Sequence, residues 1–180
     1  MTLRASVFIA ASLDGFIARA DGGLDWLEPG PEGTPGEDHG YQAFIDTVDA
    51  ILIGRNTFEI VLGFDAWPYG DKPVWVLTHR ALPDSLPIGA VVRAVAGDAP
   101  DVVRAMDSAG VRHAYVDGGL TIQAFLSAGL IQSLVVNHIP VLLGSGIPLF
   151  GALPRDILLR HVATRTYPSG FVQSHYEVLP

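Results

Sequence analysis

The chain has no cysteine. Disulfides, thiolate metal sites and thiol nucleophiles are therefore excluded. It has a single lysine, Lys72, and a formal net charge of −8. A surface that acidic repels nucleic acid and anionic membranes, so neither is expected as a partner. An anionic ligand would have to be held by a few placed arginines. Long uninterrupted apolar runs are also missing. The Leu130–Leu149 stretch is broken by glycine and proline, and reads as a buried strand and turn rather than a membrane span. No cationic start with a long apolar core precedes the first strand, which makes the cytoplasm the expected location. The six histidines (39, 79, 113, 138, 161 and 175) follow no ligand spacing, so no metal site is expected.

What is present is a chain of 180 residues, 49% hydrophobic, enough for one domain over 1–180 with a substantial core. Strand-like and helix-like segments alternate. Strands are expected at Ser6–Ala11, Ala50–Ile53, Pro73–Thr78, Ala90–Val95, His113–Val116 and Gln132–Ile139. Helices are expected at Asp38–Val48, Asn56–Leu62, Ala99–Ala109 and Leu120–Ala128. Two last strands, near Leu158–Tyr167 and Val172–Val178, flank Pro168-Ser169-Gly170 and read as an antiparallel hairpin. The pattern predicts a three-layer α/β/α fold with a mainly parallel sheet and that hairpin at its C-terminal end. Ala20–Gly36 and Asp65–Lys72 read as surface loops around a site.

Two short segments carry most of the functional signal. Ile53-Gly54-Arg55-Asn56-Thr57 and Val116-Asp117-Gly118-Gly119 each end a strand with glycine and open a helix. Glycine lets backbone approach a ligand closely, and a helix start offers free N–H groups to phosphate. Two such junctions in one domain point to a dinucleotide across the edge of a parallel sheet.

An ordered series of motifs now resembles a known family. It runs from Ser12-Leu13-Asp14-Gly15-Phe16-Ile17-Ala18 through Leu24-Asp25-Trp26 to Ile53-Gly54-Arg55-Asn56-Thr57-Phe58-Glu59. It continues with Asp117-Gly118-Gly119 and ends with the stretch Pro140–Phe150, which contains Gly144-Ser145-Gly146. The series is similar to the dihydrofolate-reductase-like superfamily, and within it to the reductase (C-terminal) domain of the riboflavin-biosynthesis protein RibD. The Gly144-Ser145-Gly146 segment favours the riboflavin-type branch.

The resemblance implies an NADPH-dependent reductase that transfers hydride to a pyrimidine or pterin-like heterocycle, as in 5-amino-6-(5-phosphoribosylamino)uracil reductase. It implies cofactor contacts from Gly54, Arg55, Asn56 and Thr57 at one junction. Leu77, Thr78, His79 and Arg80 would lie on the adenosine side. Asp117, Gly118, Gly119, Leu120 and Thr121 would stand at the other junction, with a cis peptide between the two glycines. Arg55 and Arg80 near a 2′-phosphate would favour NADPH over NADH. The substrate would meet Ala11, Trp26 and Asp38. Asp38 is the first candidate for the catalytic acid and Asp14 the rival. A homodimer is also expected.

Each assignment has a structural rival: Asp38 as a helix cap, Asp14 as a turn former, Trp26 as a cover for the core. Other functions stay open, namely a dihydrofolate reductase or a non-catalytic nucleotide-binding module on the same fold. Where folate reductases place an arginine for the glutamate tail, the nearest match here is Lys72, which lacks a bidentate fork. For a substrate carrying a ribose phosphate, no Lys/Arg pair can be assigned on the substrate side.

Overall fold

Strands buried on both faces read as apolar runs, and these runs build the centre of the molecule. The computed structural model describes residues 3–27 and 36–180. Residues 28–35 of the expected Ala20–Gly36 loop lie outside the described residues. The elements are β1 (Arg4–Ser12), β2 (Phe16–Ala18), a 3₁₀ turn (Asp25–Leu27), α1 (Tyr41–Ile45), β3 (Ala50–Gly54), α2 (Arg55–Leu62), β4 (Val74–Leu77) and β5 (Val92–Val95). They continue with α3 (Ala99–Ser108), β6 (His113–Asp117), α4 (Gly119–Ser127), β7 (Ser133–Ile139), β8 (Ile147–Pro148), β9 (Leu159–Thr166) and β10 (Val172–Val178).

The main sheet has the order β5-β4-β3-β6-β1-β7-β10-β9. Pairing is parallel from β5 through β7, and antiparallel where β10 meets β7 and β9. Alternation along the strands sorts side chains into two layers. Ala5, Val7, Ile9 and Ala11 of β1 join α3 and α4 through Val102, Met106, Ile122 and Phe125. Phe8 of the same strand joins α1 and α2 through Ile45, Phe58 and Val61. The expected three-layer fold is therefore observed.

Helix starts follow local chemistry. In α3, the Asp98 carboxylate accepts from Asp101 N at 2.9 Å, and proline stands in the first turn. The helix expected over Asp38–Val48 is shorter. His39 (φ 53°) and Gly40 (φ 83°) both take the left-handed conformation, so regular helix begins only at Tyr41. It stops after Ile45, and the Asp49 carboxylate then accepts from the N–H groups of Arg112 and His113.

The short sheet formed by β2 and β8 is not legible in the sequence pattern. It gives a structural reason for two of the quoted motifs. Asp14 accepts from Ser12 Oγ (2.6 Å), Leu143 N (3.1 Å) and Gly144 N (2.7 Å), and so ties the two segments together. Gly146 packs so closely on the Ala18 carbonyl that a Cβ would collide with it. Gly146→Ala should cost about 1–3 kcal/mol in urea unfolding through this overpacking. Ser145→Ala, at an exposed position, should leave stability within about 0.5 kcal/mol.

Candidate functional site

On the α1/α2 side of the sheet, at the C-terminal ends of the central strands, lies a cavity of about 760 Å³. That volume is in the range of small-molecule and cofactor sites, roughly 300–1,000 Å³. Strand alternation decides which residues reach it. Phe8 and Ala10 of β1, Tyr115 and Asp117 of β6, and Asn137 of β7 all point to this layer and line the cavity. Ala11 has the opposite parity and is sealed in the other layer. Ala11, expected at the substrate, therefore does not line the cavity, whereas its neighbour Ala10 does.

The two glycine-ended junctions enter the cavity side by side, because β3 and β6 are paired with Ile53 opposite Asp117. Gly54, Arg55, Asn56 and Thr57 line it from one junction. Asp117, Gly118, Gly119, Leu120 and Thr121 line it from the other, and Leu77 closes the end of β4. The glycines are needed for packing between the junctions. A Cβ on Gly54 would stand 2.9 Å from Thr121 Oγ1, and one on Gly118 would collide with Thr57 Oγ1. Neither α2 nor α4 has a side-chain cap on its N-terminal N–H groups. Two uncapped helix starts therefore face one cavity.

The expected cis bond is not there, as the described residues contain no cis peptide. Gly118, at φ 91°, makes the sharp entry into α4 with a trans bond instead. A Cβ on Gly119 would meet Ile17 Cδ1 (3.0 Å) and the Pro148 carbonyl (3.2 Å), so this glycine makes room for the β2–β8 sheet.

Several expected site residues stand elsewhere. Trp26 does not line the cavity; its ring packs with Ile139 and Phe171, while Leu24 and Leu27 line the cavity beside it. Thr78 is buried and accepts from Arg80 N at 3.0 Å, so it shapes the turn after β4. His79 and Arg80 are exposed and outside the cavity. Arg80 still connects to it through Glu59, whose Oε1 lies 3.3 Å from the Arg80 guanidinium and 2.8 Å from Arg55 Nε. Arg55 also donates to the Ala81 carbonyl at 2.8 Å.

The two carboxylates expected as acids are both held ionised. Asp14 lies outside the cavity, and the Ser12 hydroxyl with the Gly144 and Leu143 N–H groups keeps its pKa below the ordinary value. Asp38 does line the cavity but is exposed. It accepts from Gln42 N (2.8 Å) and Gly40 N (2.9 Å), and those N–H groups lower its pKa. It acts as the cap of α1, not as a stored proton.

Asp117 differs from both. Desolvation pushes its pKa up to about 6, against the opposing pull of Gly118 N–H at 2.7 Å and the neighbouring Tyr115 hydroxyl. Asp117 lines the cavity and is half-buried. Tyr41 and Tyr69, which share the cavity wall, feel its charge, and burial raises both phenols, Tyr41 to about 12. Tyr115 is buried and donates to the Phe8 carbonyl at 2.8 Å.

Sequence reasoning assigned Asp117 to the cofactor and did not mark Asn137, His39 or Phe171. Asn137 carried a readable signal, a buried amide in the apolar run Leu134-Val135-Val136. His39 and Phe171 carried none, since they stack at 4.4 Å only through tertiary contact.

A carboxyl whose pKa is raised on folding stabilises the native state when protonated. That contribution is full below the unfolded value near 3.8 and is lost as pH rises through about 6. Asp117→Asn should therefore gain stability relative to the parent between pH 4 and pH 7. The gain should reach at most about 3 kcal/mol, read from urea midpoints at each pH.

Comparison with known proteins agrees with this geometry. The family model of the RibD C-terminal domain matches residues 5–173. The uncharacterized protein YwjB of Bacillus subtilis (strain 168) is 35% identical over 178 residues, 98% of each chain. The crystal structure of a putative riboflavin biosynthesis protein from Shewanella sp. PV-4 is similar with a TM-score of 0.89. It shares 37% identity over 100% of both chains. A dihydrofolate reductase from Enterococcus faecalis, solved with NADP(H), shares the fold at a TM-score of 0.66 and 18% identity over 100% of both chains. This chain belongs to the RibD C-terminal domain family and has the dihydrofolate-reductase-like fold.

Proposed function

We propose that this chain is an NADPH-dependent reductase that transfers hydride to a pyrimidine- or pterin-like heterocycle. One observation carries the reading: two uncapped, glycine-opened helix starts face a single cavity that also holds aromatic rings and a carboxyl of raised pKa. Membership of the RibD C-terminal family supports it. So does the fold shared with a dihydrofolate reductase solved with NADP(H).

The residues present fit such a cofactor. Asn56, Thr57, Leu120 and Thr121 would present first-turn N–H groups to its phosphates, with the positive end of each helix dipole behind them. Arg55 would meet a 2′-phosphate from the cavity wall, with Arg80 next to it across Glu59. The bound cofactor supplies the hydride.

The protein's own work is orientation, dryness and the proton. Phe8, Tyr41 and Tyr115 would hold a planar ring by stacking and edge contacts. Asp117 would hold a proton near the reacting ring, since its pKa of about 6 keeps part of it protonated close to neutrality. In this reading Asp38 keeps α1 in place at the cavity wall, and Asp14 acts only on the β2–β8 sheet.

Spectrophotometric NADPH oxidation in the presence of pyrimidines and pterins tests the reading. With an accepted substrate, kcat should fall as pH rises through about 6. Asp117→Asn should lower kcat by about 100-fold and remove that pH limb; an unchanged profile in the variant would exclude Asp117 as the proton holder. In equilibrium titration, Arg55→Ala should weaken NADPH by about tenfold or more, and NADH much less, because a charge-assisted phosphate contact is worth roughly 1.5–3 kcal/mol. Equal losses for the two cofactors would sink the 2′-phosphate role.

A further inference from the structure

A ligand that carries a phosphate or carboxylate needs a cation or a set of free N–H groups beside that group once water is removed, and in the reductase reading the cofactor takes both helix starts. Among the described residues the cavity lining has one arginine, Arg55 at the start of α2, and no lysine; its other basic residue, His39, is stacked on Phe171 and bonded through Nε2 to Ser169 Oγ at 3.3 Å. The Arg55 guanidinium already donates to Glu59 and to the Ala81 carbonyl. The carboxylates on the lining are Asp38 and Asp117.

The sequence closes the other routes. No lysine or arginine occurs in the sequence between Arg19 and Arg55. Arg19, just after β2, gives Nε and Nη2 to the Asp25 carboxylate at 2.7 and 2.8 Å. Lys72 donates to the Val48 carbonyl at 2.6 Å. Arg165 shares a row with Gln173 and Asn137, but on the edge strand. Arg165 does not line the cavity.

We infer that the substrate of this chain is an uncharged, planar amino-heterocycle with neither a phosphate ester nor a carboxylate tail, held by aromatic contact and hydrogen bonds alone. The inference rests on the reductase reading of the same cavity. The groups present suit such a ring. Phe8, Tyr41, Tyr115 and Phe171 offer apolar faces and edges. Asn137 Oδ1 accepts from Gln173 Nε2 at 2.9 Å, which leaves the Asn137 amide N–H groups for a ring carbonyl or ring nitrogen. Asp117 is placed to accept from an exocyclic amine when ionised, and to donate when protonated.

The reaction balances without a charged handle. A ring C=N, NADPH and one proton give C(H)–N(H) and NADP⁺. The hydride forms the new C–H bond, the π pair of the C=N moves to nitrogen, and that nitrogen takes the proton. The heterocycle is reduced by two electrons and the nicotinamide is oxidised by two.

The test uses the full chain saturated with NADP⁺, saturation being confirmed beforehand by calorimetry. Aminopyrimidines and pterins are titrated as free bases, alongside the same rings carrying a ribose 5-phosphate or a glutamate tail. The expected result is that at least one free base binds below millimolar concentration. Each anionic counterpart should bind at least about tenfold more weakly, because like charge across a dry contact is strongly unfavourable. An anionic member that binds as tightly as its neutral counterpart would overturn the inference, and so would a panel in which no free base binds. Failure of the cofactor to bind would count against the reductase reading alone. The same panel on the cofactor-free protein would then still decide which charge the cavity accepts.

Discussion

The site depends on a crosswise contact between two loops. Gly54 at the end of β3 lies against Thr121 at the start of α4, and Gly118 at the end of β6 lies against Thr57 at the start of α2. Each threonine fills the space where the other junction's glycine has no Cβ. Parallel pairing of β3 with β6 sets the strands side by side, but only this exchange lets both helix starts reach one cavity. A side chain at either glycine would push the two apart. The position of the donors, the depth of Asp117 and the access of the aromatic rings all follow from that approach.

Charge then decides what the cavity can hold. The chain has few cations, and those near the site already have partners: Arg55 and Arg80 share Glu59, Arg19 has Asp25, and Lys72 has a backbone carbonyl. The helix starts are consequently the main electropositive features at the β3 and β6 ends, while the rest of the lining is mostly aliphatic and aromatic, with Asp38 and Asp117 as its carboxylates. The same shortage accounts for the state of Asp117. With no cation beside it, burial dominates and its pKa rises. The Ser12 hydroxyl with backbone N–H groups on Asp14, and backbone N–H groups on Asp38, move those two the other way.

Much of this was legible in the sequence, for definite reasons. Strands such as Ala50–Gly54 are buried on both faces, so they stand out as apolar runs. Asp98 with Pro100 marks the start of α3 before any contact is known. The two glycine-ended junctions were readable because their chemistry is local. What was not readable depends on distant partners. The spacing of Tyr41, Phe44, Ile45 and Val48 is helical, yet the left-handed turn at His39 and Gly40 removes the first part of that helix. The β2–β8 pair is too short to show a period. The resemblance puts the acid at Asp38 or Asp14. Only the fold reveals that backbone N–H groups surround those two, and that Phe8, Tyr41, Tyr69 and Tyr115 line the same cavity as Asp117. Of the two roles open to Trp26, substrate contact and cover for the core, the fold shows packing, with its ring against Ile139 and Phe171.

The central claim is that both junctions hold one dinucleotide. Hydrogen exchange resolved at single amides, with and without saturating NADPH, tests it most directly. The account predicts that NADPH slows exchange at Asn56 and Thr57 of α2 and at Leu120 and Thr121 of α4 together, over one and the same concentration range. No effect at either helix start, or protection confined to one of them, would contradict it.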